Sequence, residues 1–157
     1  MILFFGADNP NGFMSNFYPS PFKAEGIVWP TVEHYFQAMK TTDAAEWPAF
    51  AALDNPGKAK YRGRMVKLRP DWDEVKVEVM NTALRHKFTQ NPELLKKLLE
   101  TNDKVLHEDS PYDRVWGYRD GGQDLLGKCL MKVRDELRND MSGARPQPDQ
   151  SLGQPRR

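Results

Sequence analysis

The chain has a single cysteine, Cys129, among 157 residues. One thiol forms no internal disulfide, so an ordinary core must hold the fold, and a reducing cytoplasm is the expected location. Cys129 itself falls on the apolar face of the last helix, where packing is favoured over nucleophilic work. The three histidines, His34, His86 and His107, are scattered, and no Cys/His spacing suits zinc, so no metal site is expected. No apolar run approaches the ~18 residues that span a bilayer. With a mean hydropathy of -0.74, the sequence argues against a membrane protein. Residues 1–5 are apolar but carry no basic region or cleavage pattern, so they do not read as a signal peptide. A strand followed by GxGxxG and the GxxxxGK[ST] loop are both missing, which excludes a dinucleotide fold and a P-loop. Excess charge is also missing: residues 1–138 hold 20 basic and 20 acidic residues. That balance lacks the excess of a general nucleic-acid binder, although a local basic patch stays open.

What is present suits one globular domain. The apolar fraction is 39%, and the length supports a core. After residue 138 the chain turns to Pro, Gly, Gln and Ser, with Met141, Ala144 and Leu152 as the only apolar residues. Such a segment buries too little surface to offset its ordering entropy. The expected organisation is a domain over 1–138 and a disordered tail over 139–157. The first 30 residues read as short strands and turns, with a hairpin of 22–24 and 27–29 around Glu25-Gly26. Everything after Pro30 is biased to helix. Thr31 caps a helix over 31–40, and a proline-interrupted stretch covers 43–53. Asn55-Pro56 opens a helix ending near Gly63, and longer helices cover 71–90, 91–99 and 123–138. A strand at 105–107 and a long loop over 109–122 separate the last two. The predicted fold is α+β, a helix-dominated single domain with a small antiparallel sheet near the N-terminus.

Four segments could carry chemistry. On the helix over 31–40, Val32, Tyr35, Phe36 and Met39 form a core stripe, and Glu33, Gln37 and Lys40 form a second stripe beside it. Glu33 lies in the first turn, where the helix dipole favours a carboxylate. It is the first candidate for a base or a cation stabiliser, against the plainer reading of a solvated face. The loop over 109–117 gathers Asp113, Arg114, Tyr112 and Trp116 just after Glu108, and long loops in compact domains are often functional. The alternative is a surface loop anchored by Trp116. Residues 55–64 carry Lys58, Lys60, Arg62 and Arg64 near a helix start and could hold a phosphate, or could be a solvated basic helix. Ser15-Asn16 between Phe13 and Phe17 suits a polar contact in an aromatic pocket, or an ordinary turn.

Together these segments resemble the YbiA-like, or NADAR, family. Ser15-Asn16-Phe17-Tyr18 is similar to its SNF-type motif, residues 33–40 to its EHxxQAxK helix, and Ala59-Lys60 with Gly63-Arg64 to its AKxxGR segment. Lys87-Phe88, Glu108 with Ser110-Pro111 and Asp113, Trp116-Gly117, Leu126-Gly127, and Leu130-Met131-Lys132-Val133-Arg134 follow in order. The resemblance covers about 3–138. It departs at Asp124, where the family commonly has Asn; a neutral amide becomes an acceptor-only carboxylate.

The resemblance implies hydrolysis of an N-glycosidic bond without cofactor or metal. The substrate it implies is a phosphoribosylamino-pyrimidine of riboflavin biosynthesis, cleaved to base and ribose 5-phosphate. The alternatives are removal of ADP-ribose from modified guanine, with ADP-ribosylated nucleic acid as partner, and a non-catalytic ADP-ribose or NAD binder. No stable protein partner is expected. Glu33 and Asp113 are the expected catalytic carboxylates, with Lys40 as a rival through a Schiff base. Asn16, Phe17, Tyr35, Gln37, Lys60, Arg62, Arg64, Trp116, Gly117 and Asp124 are expected to bind substrate.

Overall fold

The computed structural model describes residues 1–143. Four short strands and six helices follow the chain as β1 (Ile2–Phe4), β2 (Phe22–Ala24), β3 (Ile27–Trp29), α1 (Val32–Ala38), α2 (Trp47–Ala51), α3 (Pro56–Gly63), α4 (Trp72–Gln90), α5 (Pro92–Leu99), β4 (Leu106–Glu108) and α6 (Leu125–Ser142). The fold is α+β and dominated by helices, as the sequence predicts.

The antiparallel sheet is the β2–β3 hairpin, with Phe22 opposite Trp29 and Ala24 opposite Ile27. Its turn needs two residues at positive φ, and Glu25 (57°) and Gly26 (74°) supply them. Phe22, Ala24 and Trp29 point inward and are buried. A second ribbon is not foreshadowed by the sequence. β1 pairs in parallel with β4, placing Ile2 beside Leu106 and Phe4 beside Glu108. This pairing fastens the N-terminus to a strand about a hundred residues away and aligns the start of the 109–124 loop.

Thr31 caps α1, its hydroxyl accepting the His34 N–H at 3.2 Å. All seven residues of α1 are buried, so the helix is enclosed on every side rather than amphipathic. It packs against α2, α3, α4 and β3, while α4 packs on α6. His34 bridges within this layer: Thr31 Oγ1 lies 2.8 Å from Nδ1, and Nε2 lies 3.1 Å from the Leu53 carbonyl. A carbonyl only accepts, so Nε2 donates and Nδ1 accepts the hydroxyl, the pattern of a neutral ring. Burial correspondingly pulls the His34 pKa down.

The interrupted 43–53 stretch resolves into a 3-10 turn followed by α2, with Pro48 in its first turn, where its missing N–H is harmless. The last helix corrects the expected domain end. It continues to Ser142 and closes on Gly143 at φ 77°, so residues 139–142 are helical rather than part of a tail. The rest of the expected tail lies outside the described residues. Among the described residues no helix is long and apolar enough to cross a membrane, and no cluster of His, Cys, Asp and Glu could hold a metal ion.

Candidate active site

One cavity of about 420 Å³ gathers residues from six parts of the chain, Met80 of α4 among them. α1 supplies Glu33, Phe36, Gln37 and Lys40, the turn after Gly12–Met14 supplies Ser15, Asn16 and Phe17, and α3 supplies Lys60. β4 and the following loop add Glu108, Ser110, Tyr112, Asp113 and Trp116, and Phe5 and Gly6 follow β1.

Backbone hydrogen bonds hold these parts in place. The Glu33 N–H donates to the Asn16 carbonyl at 3.1 Å, tying the Ser15–Phe17 turn to the first turn of α1. Lys87 donates from Nζ to the Ser15 carbonyl at 3.1 Å from a fully buried position between the Tyr18 and Phe88 rings. With no carboxylate against it, burial lowers its pKa to about 7. Asn16 Oδ1 is buried with no hydrogen-bond partner.

The loop after β4 is built on side-chain acceptors. Ser110 Oγ accepts the N–H groups of Tyr112 and Asp113, and Asp113 Oδ1 accepts those of Val115 and Trp116, both at 2.9 Å. The ring that closes the turn needs a glycine. A Cβ on Gly117 would lie 2.5 Å from the Asp113 carbonyl oxygen. Trp116 then meets Phe36 edge to face with centroids 5.3 Å apart, and Tyr112, 83% exposed, stands at the mouth against Phe5.

Charge in the cavity is mixed and partly desolvated. Glu33 is 7% exposed, and Gln37 Nε2 donates to its Oε2 at 2.7 Å. Desolvation raises the Glu33 pKa, with Asp113 pushing the same way, while Gln37, Lys60 and Lys40 oppose. Burial thus outweighs the helix dipole at Glu33. Glu108 is pushed up to about 7, by burial first, then by Asp113, Glu33 and Asp124, with Lys60 opposing. Lys40 moves down, chiefly through burial, with Glu33 holding it up. Gln37 is itself clamped: a Cβ on Gly63 of α3 would lie 1.9 Å from Gln37 Oε1.

The structure brings together Glu33, Asp113, Lys40, Asn16, Phe17, Gln37, Lys60 and Trp116 of the expected set. It removes five others from the cavity wall. Tyr35 points into the core, edge to face with Phe22 and Trp29; its neighbour Phe36 faces the cavity instead. Arg62 lies over Phe50 at 5.2 Å and lines a separate hollow of about 620 Å³, because it is two residues, about 200° of helix, from Lys60. Arg64 is exposed at the end of α3 and acts on the cavity only as a distant charge on Lys40. Gly117 serves the turn. Asp124 is buried beneath β4, accepting the Glu108 N–H at 3.1 Å and lying 2.6 Å from His107 Nδ1.

Glu108 is the residue to which sequence reasoning attached no role. Its only signal was a place in the ordered motif beside Ser110 and Asp113.

The chain belongs to the NADAR family, whose NADAR domain matches residues 3–138. It is 40% identical over 148 residues to the N-glycosidase Npun_R5314 of Nostoc punctiforme, covering 90% of this chain and 95% of that one. It is 39% identical over 143 residues to the N-glycosidase YbiA of Escherichia coli, covering 87% and 88%. Against the riboflavin biosynthesis protein VVA0006 of Vibrio vulnificus it is 39% identical over 142 residues, covering 87% of this chain and 38% of that longer one. The NMR structure of E. coli YbiA superposes with a TM-score of 0.82 at 37% identity, covering 90% of this chain and 86% of that one.

Proposed function

We propose that the chain is an N-glycoside hydrolase that cleaves the C1–N bond of a phosphoribosylamino-pyrimidine, releasing the base and ribose 5-phosphate. The observation that carries this reading is the convergence of Glu33, Glu108 and Asp113 with Lys40 and Lys60 on one aromatic-walled cavity. The relatives named N-glycosidase support the reaction, and the relative named riboflavin biosynthesis protein supports the substrate.

Breaking the bond develops positive charge on the ribose and electron density on the leaving nitrogen. Glu108, with its pKa raised to about 7, keeps a protonated fraction at neutral pH, and that form donates its proton to the leaving nitrogen. Glu33, aimed by Gln37 and faced by Lys60 and Lys40, which oppose the rise that burial gives its pKa, stabilises the oxocarbenium ion and activates water. The two acids share one cavity, so they titrate as a coupled pair. Asp113 helps orient the water. Phe17, Phe36 and Trp116 stack on the base, and the unpartnered Asn16 Oδ1 accepts one of its amino groups. Lys40 and Lys60 match the charge of about −1.5 to −2 on one phosphate monoester.

A specific observation also favours a second route. Burial lowers the basicity of Lys40, which suits an amine that attacks ribose C1 as the C1–N bond to the base breaks; opening of the ribose C1–O bond then gives the Schiff base, which water hydrolyses to free the sugar. Borohydride during turnover would then fix sugar phosphate to Lys40.

The test is incubation with a phosphoribosylamino-pyrimidine and, separately, ADP-ribosylated guanosine, read by mass spectrometry. Free base from the first is expected. Glu33→Gln and Asp113→Asn should each lose about 10²-fold or more in turnover while keeping wild-type circular dichroism. A folded Glu33→Gln with wild-type turnover, or product from the guanine substrate alone, would overturn the assignment.

A further inference from the structure

Asp124 lies outside the cavity, yet its carboxylate holds the backbone of Glu108. Oδ1 accepts the Glu108 backbone N–H at 3.1 Å, and Oδ2 lies 2.6 Å from His107 Nδ1. A carboxylate only accepts, so the Nδ1 proton sits in that contact. Asp124 is 5% exposed and held at φ 54°, ψ 42°, a left-handed conformation that Asp tolerates. Its own N–H donates to the Gly117 carbonyl at 2.9 Å. Gly127 on α6 leaves room for it: a Cβ there would come within 2.6 and 2.7 Å of the two carboxylate oxygens. His107 stacks on Tyr118 with centroids 4.5 Å apart.

We infer that Asp124 is a positioning residue for Glu108: its buried carboxylate, held in place by His107, fixes the Glu108 backbone at the cavity wall and sets a negative charge behind the Glu108 carboxyl. This deepens the proposed hydrolase reading and rests on it only for the role of Glu108 as acid. Four charged groups face Glu108, one from each neighbouring element. Glu33 comes from α1, Lys60 from α3, Asp113 from the following loop and Asp124 from the start of α6. Three are acidic, and only Asp124 among them also accepts the Glu108 backbone N–H.

Asp124→Asn separates charge from geometry, because the amide oxygen still accepts the Glu108 N–H. The measurement is a carbon-13 NMR titration of glutamate carboxyls in the full chain, with Glu108→Gln assigning the resonance. Asp124→Asn is expected to lower the Glu108 midpoint by about half a unit or more, the order expected for losing a nearby charge. The basic limb of kcat/KM against pH should move down with the NMR midpoint in Asp124→Asn. An unchanged midpoint in a folded Asp124→Asn overturns the inference. If that variant does not fold, Asp124→Ser, whose hydroxyl can still accept the Glu108 N–H, takes its place, and an unchanged midpoint there overturns the inference. The titration needs no substrate, so failure to cleave any N-riboside would sink the hydrolase reading without deciding this one.

Discussion

Replacing Glu108 by glutamine should make the protein more stable and nearly inactive, and the stability gain should depend on pH in one direction. The Glu108 pKa rises on folding from an ordinary 4.5 to about 7 because the carboxyl is buried beside Asp113, Glu33 and Asp124. Between those two values the folded state binds more protons than the unfolded one, so folding stability falls as pH rises through the window. The full interval of about 2.5 units corresponds to roughly 3 kcal/mol, reduced to about 2 kcal/mol for a side chain that remains partly exposed. Glu108→Gln keeps the shape and removes the ionisation. It should match the wild type in urea unfolding at pH 4 and exceed it by about 2 kcal/mol at pH 8. Turnover should fall by about 10²- to 10⁴-fold, the usual contribution of a general acid. Equal stability differences at pH 4 and pH 8, or a variant less stable at pH 8, would refute the claim that Glu108 is an acid held against its ionisation.

The remaining predictions concern the frame of the site. Gly63→Ala puts a methyl within 1.9 Å of Gln37 Oε1 and displaces the amide that holds Glu33. It should cost about 1–3 kcal/mol in thermal or urea unfolding and lower kcat more than it raises KM. Lys87 has a pKa lowered from 10.5 to about 7, so its burial penalty, about 5 kcal/mol at most, is present below pH 7 and fades as pH rises toward 10. Lys87→Met should therefore be about 3 kcal/mol more stable at pH 6 by urea unfolding, after the loss of its hydrogen bond to Ser15, with the advantage vanishing by pH 10. Lys60→Ala should raise KM for a phosphorylated riboside by about tenfold, consistent with one charge-assisted contact, whereas Arg62→Ala should leave kcat and KM unchanged because Arg62 faces the other hollow.

Local chemistry settled much of this molecule. Thr31 as a cap, Asn55-Pro56 and Asn91-Pro92 as helix starts, and Glu25-Gly26 as a hairpin turn each act within a few residues, so their physics is complete in the sequence. The same holds for the stripe that puts Glu33, Gln37 and Lys40 on one side of α1. The spacing of α3 also placed Lys60 apart from Arg62, but not which of them would meet α1.

Tertiary structure decided what that local pattern leaves open. A helix stripe reads equally well as solvated or buried, and only packing by α2, α3 and α4 encloses α1 and turns Glu33 into a desolvated acid. Tyr35 and Phe36 both belong to the core stripe, and the β2–β3 hairpin on one side leaves Phe36 to the cavity. Asp124, taken from sequence as a substrate contact, became the support beneath Glu108 once α6 was laid against β4. Glu108 itself depends on the parallel pairing of β1 with β4, a contact whose partners are over a hundred residues apart. No local propensity encodes such a pairing; its free energy comes from the closed core, and so the acid of the site exists only once the whole chain has folded.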